Sequence, residues 1–297
     1  MKFDINQTEF PSPKHKSIWD LWRQIVPLDI SLADISDHEM REGCTQIYNW
    51  TQEYLEAMYN NPDKYRKGID FSAYELDNII DDERVDLIQK YPLFCKYYKL
   101  FLDASTNRKV NRDSYVTYRD FRIFATKYKR SIDDLLRVLP DKLKGYALEM
   151  HEYVLSKGVK LESHIYYSRF RYKHKKQSIL SLSKNSWRGV PLDIAVPYNK
   201  FSTFMQMVDL QADHKELTSY IQKEICACDA CAGAKNVNKR CSKRWVEING
   251  KKRLLASCHS DISKWKAPKS NLAYTDYDIK MLKRLVDIRF DQVNGLH

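Results

Sequence analysis

The chain has 297 residues, of which 43% are hydrophobic and 30% charged. That is enough apolar material for buried cores, so global disorder is not expected. No apolar run approaches the roughly 18 residues of a membrane span, and the N-terminal stretch lacks the apolar centre of a signal peptide, so a cytoplasmic protein without a membrane partner is expected. The net charge of +11 favours an acidic partner, either nucleic acid or an acidic protein surface.

The first part of the chain reads as helices. "SIWDLWRQIV" places Ile18, Leu21, Trp22 and Ile25 at helical spacing before Pro27 breaks the pattern. Ser36 and Asp37 are cap candidates for a second helix, with Ile47, Trp50, Tyr54, Leu55 and Met58 on one side. "NNPDKYRKG" is a loop, and an acidic stretch follows at Glu75, Asp77, Asp81, Asp82, Glu83 and Asp86. "LFCKYYKLFLDA" and "SYVTYRDFRIFATKYKR" supply further aromatic residues, read as the core of a helical bundle.

Near residue 130 the pattern changes. Ser131 to Asp134 opens a short segment, and a helix from "DKLKGYALEMHEYVLSKG" stops at Gly158. "HIYYSRFRY", "SILSLS" and "PLDIAVPY" read as strands, the first two flanking "KHKKQ" as a turn. Alternation puts Phe170 and Tyr172 on a core face and Arg169, Arg171 and Lys173 on the other. Two helices follow, then a hairpin with Asn249–Gly250 at its tip. A closing helix has Thr275 as its cap, Asp278 three residues on, and Ile279, Leu282, Leu285, Val286 and Phe290 as its stripe. The expected fold class is α+β. A helical domain spans 1–130, and a sheet-plus-helices domain spans 131–297 with a cysteine-rich hairpin insert at 226–259.

Leu139–Pro140 ahead of a helix, a hairpin carrying Tyr166 or Tyr167, Phe170, Tyr172, Lys173 and Lys176, and a closing helix with Arg289 near its end resemble the YdhG-like family of small α+β proteins. The resemblance covers about half the chain. It implies a sheet packed by helices and, through members described as frataxin-like, a small-molecule or metal-handling module. In that alternative Tyr167 and Trp187 line a ligand pocket in the sheet.

Chemistry concentrates in the insert. Residues 226–269 carry 11 Lys or Arg against 3 Asp or Glu, and 226–259 hold five of the seven cysteines. Cys228 and Cys231 have knuckle spacing, in which two thiolates grip one tetrahedral ion. A two-residue turn at Asn249–Gly250 makes facing positions sum to 499, which pairs Cys241 with Cys258. These four thiols form a candidate structural zinc site, with Cys226 or His259 as an alternative ligand. Free thiols, or a disulfide between Cys241 and Cys258, are the competing readings. Arg244, Lys251, Lys252 and Arg253 are the candidate anion-binding or nucleic-acid-binding residues. No phosphate-cradling glycine motif, zinc-protease motif or nucleophile elbow occurs. The leading expectation is a non-enzymatic binding protein with a zinc knuckle and a basic surface. A redox sensor or thiol enzyme acting through Cys226, Cys228 or Cys231 is a further alternative.

Overall fold

The computed structural model describes residues 4–25, 35–64, 89–106, 121–124, 131–163, 169–185, 190–225, 243–256, 261–263 and 274–296. The protein is mixed α and β and divides into two compact units. One is Met1–Pro140 with Ser163–Ser168, and the other is Asp141–Glu162 with Arg169–His297.

The first unit is helical: α1 (Pro13–Ile25), α2 (His38–Asn60), α3 (Phe94–Thr106) and the single turn α4 (Asp133–Leu136). Asp37 caps α2 by accepting from the Met40 amide at 2.7 Å. Among the α1 residues whose side chains are described, Ile18, Trp19 and Arg23 are buried and Trp22 is half-buried. Trp19 is fixed by three contacts. Its indole donates to the Asp4 carbonyl at 2.9 Å, its ring meets Phe10 edge-on, and the Arg23 guanidinium lies 3.8 Å above it. Trp50, Leu55, Phe94, Tyr98 and Phe101 complete an aromatic core between α2 and α3. Phe121 joins it against Phe101, from a turn of 3-10 helix over Phe121–Phe124.

The second unit begins with α5 (Asp141–Ser156) and a five-stranded sheet in the order β1 (Lys160–Ser163), β2 (Arg169–His174), β3 (Gln177–Asn185), β4 (Val190–Pro197) and β7 (Asp261–Ile262). The pairs from β2 to β7 are antiparallel. Phe170 and Tyr172 are buried and Arg171 is exposed, as alternation requires. The β2–β3 turn is tighter than the expected five residues. The strands run on to pair His174 with Gln177, leaving only Lys175 and Lys176 to turn, at φ 46° and 65°.

Between β4 and β7 lie α6 (Phe201–Asp209), α7 (His214–Glu224) and a separate hairpin of β5 (Lys243–Ile248) and β6 (Lys251–Ala256). The closing helix α8 (Asp276–Asn294) packs on α5, α6, α7, β3 and β4 and so organises the unit's core. Thr275 and Asp278 form its reciprocal capping box. Ile279, Leu282, Leu285 and Val286 are buried as expected, together with Met281, Ile288 and Val293. Tyr146 donates to Asp276 at 2.7 Å and Tyr153 to Asp287 at 2.6 Å, and Glu149 pairs with Lys283. These contacts advance in the same order along both helices, so α5 and α8 run parallel.

Candidate nucleic-acid interface

The β5–β6 hairpin is built as its turn residues dictate. Asn249 and Gly250 have φ 51° and 67°, the positive pair that a tight hairpin turn needs. The described rungs run from Ile248 opposite Lys251 to Lys243 opposite Ala256, so each pair sums to 499. The tip rests on α7, where the Asn249 amide donates to Gln222 at 3.3 Å. Ile248 is buried beside it.

Alternation then separates the basic residues. Lys251 stands opposite the buried Ile248, whereas Lys252 stands opposite Glu247, on the same side as Trp245. Both lysines are exposed, and Trp245 is 67% exposed. Arg244 holds the rung opposite Leu255, and Arg253 the rung opposite Val246. The outward side of the hairpin therefore carries an indole with a lysine and a glutamate close by. Trp245 was not among the residues expected to bind. Its signal was present in the strand "KRWVEI", where Val246 and Ile248 alternate inward and Trp245 falls in phase with Glu247.

The metal-binding expectation is corrected. Among the described residues no group of three or more His, Cys, Asp or Glu is placed to hold a metal ion. Three histidines of the second unit are each engaged by a partner that is not a metal ligand set. His151 shares a 2.7 Å hydrogen bond with the Tyr172 hydroxyl, His174 one of 3.0 Å with Asn294, and His214 one of 3.1 Å with the Gln211 carbonyl. A tetrahedral site needs four donors converging at about 2.0–2.3 Å. The described cysteines, Cys44 and Cys95, are free, and burial pushes the Cys44 thiol up to about 12. Cys226, Cys228, Cys231, Cys241, Cys258 and His259 lie outside the described residues, as do Tyr167, Trp187 and the acidic stretch from Glu75 to Asp86.

No described helix is long and apolar enough to cross a membrane. Comparison of the chain with family models, curated proteins and solved structures finds no match.

Proposed function

We propose that the protein is a binding protein whose β5–β6 hairpin engages an anionic partner, single-stranded nucleic acid. The observation that carries this reading is Trp245, an indole left 67% exposed on a basic hairpin whose tip is anchored to α7. An exposed tryptophan costs hydration free energy unless a partner covers it. A flat aromatic next to cations matches the two features single strands offer, base faces and phosphates. The surrounding segment 226–269, with its excess of Lys and Arg, supplies the long-range attraction.

The test is binding of a labelled oligothymidine to the full chain across a salt series. Affinity is expected to fall with salt at a log–log slope of about −0.7 per neutralised phosphate. Trp245→Ala should weaken binding about 5- to 150-fold, the range of one lost base stack. Glu247→Gln should strengthen it by removing a negative charge, on the same side as Trp245, that repels phosphate. Absence of binding at low salt, or an unchanged affinity in Trp245→Ala, overturns the reading.

A further inference from the structure

The second site lies at the far end of α8, around a buried cation. Arg23 and Arg284 show how this protein treats arginine in tight places: Arg23 pairs with Asp20, and Arg284 makes two 3.0 Å bonds to Asp213. Arg289 is 1% exposed, yet its bonds go to neutral oxygens. Its Nε donates to the Ser178 carbonyl at 3.1 Å, Nη1 to Gln292 Oε1 at 2.5 Å and Nη2 to Gln177 Oε1 at 3.1 Å. No carboxylate among the described residues stands within ion-pair distance. Burying a guanidinium without a counter-charge is costly, because neutral dipoles replace only part of its hydration.

One of those neutral oxygens is in an unusual position. Gln177 Oε1 also accepts from Asn199 Nδ2 at 2.6 Å, so two donors from different elements converge on it. Gln177 is an exposed residue at the start of β3, and its amide oxygen accepts from the buried Arg289. Exposed lysines flank both contributors. Lys175 and Lys176 precede Gln177, and Lys200 follows Asn199. The Lys175–Lys176 turn has almost the same positive φ values as Asn249–Gly250. The backbone geometry favours Asn–Gly at such a turn, so two lysines there run against local preference.

We propose that Arg289 and Asn199, with Lys175, Lys176 and Lys200 around them, form a binding site for a phosphate group, whose oxygen takes the place now held by the Gln177 amide. The phosphate supplies the missing counter-charge, and the donors keep their directions while gaining charge-assisted bonds. This site is formed by the β2–β3 turn, the segment between β4 and α6, and α8. It involves no residue of the β5–β6 hairpin, so it stands or falls separately from the reading above.

Heat denaturation of the full chain in inorganic phosphate, against sodium chloride and sodium acetate of equal ionic strength, reads the site through linkage of binding to stability. The parent protein is expected to gain melting temperature with phosphate concentration beyond either control. Gln177→Ala removes the competing amide and should lower the half-saturating phosphate concentration. Asn199→Ala should raise it about tenfold, the effect of one lost charge-assisted bond. Arg289→Gln should abolish the response. Should that variant fail to fold, the Gln177 and Asn199 variants still decide, because both residues are exposed and expected to leave the core intact. Equal responses to phosphate and acetate, an unchanged response in Asn199→Ala, or a weaker one in Gln177→Ala overturns the proposal.

Discussion

Gly43 sits in the second turn of α2, where alanine would ordinarily be better by about 0.5–1 kcal/mol. A Cβ built there would penetrate the ring of Tyr97 on α3 and lie 2.9 Å from the Tyr97 Cβ. The missing side chain is therefore what lets the two helices approach. Tyr97 is buried against it, and Cys44, the next residue along α2, is fully buried. Gly43→Ala is expected to destabilise the protein by about 1–3 kcal/mol despite its better helix propensity, because the overlap must be relieved by moving a helix. Chemical denaturation of the variant checks this, and a neutral or stabilising result would show that α2 and α3 can part at little cost. Nothing in the local sequence marks this glycine. Its role exists only across the α2–α3 contact.

At the level of elements, the β2–β3 and β5–β6 hairpins make a natural comparison. Both use two-residue turns with both central residues at positive φ, yet one is Asn249–Gly250 and the other Lys175–Lys176. A residue with a Cβ pays roughly 1–2 kcal/mol in the left-handed region, and glycine does not. Lys176→Gly should therefore stabilise the protein by up to about 1 kcal/mol in low-anion buffer, read as a higher denaturation midpoint. The same change removes one cation of the proposed phosphate site, so the phosphate response should shrink while basal stability rises. A loss of basal stability would mean that the lysine side chain itself holds the turn. Asn–Gly is a turn signal legible from the residues. Lys–Lys is not, which is why a longer turn was expected there. β7 was equally hidden. It is two residues long, and only its pairing with Val196 and Pro197 of β4 makes it a strand.

For the whole molecule, the division at Pro140 has a direct consequence. The second unit holds its own sheet, and α8 touches three helices and two strands of that unit. A chain of residues 141–297 contains all of those elements and should fold alone, giving mixed helix and strand circular dichroism and one cooperative thermal transition. A broad, non-cooperative melt of that fragment would show that the unit needs the first 140 residues to close its core.

What the sequence by itself determined are the features carried by neighbours along the chain. Asp37 and Thr275 cap their helices because a short polar side chain reaches amides two or three residues on. Asn249–Gly250 sets its turn and thereby every described rung of the hairpin, because a two-residue turn leaves a single register. Phe170 and Tyr172 are buried because strand alternation fixes which side they share. The tertiary structure alone decided the rest. It made Trp19 rather than Trp22 the buried tryptophan of α1, through contacts with Asp4, Phe10 and Arg23. It gave His151 and His174 their long-range partners Tyr172 and Asn294, and it left Trp245 in solvent. It also brought Gln177, Asn199 and Arg289 to a common oxygen. Those outcomes depend on which surfaces meet across long chain separations, and local spacing carries no information about such meetings until the core has formed.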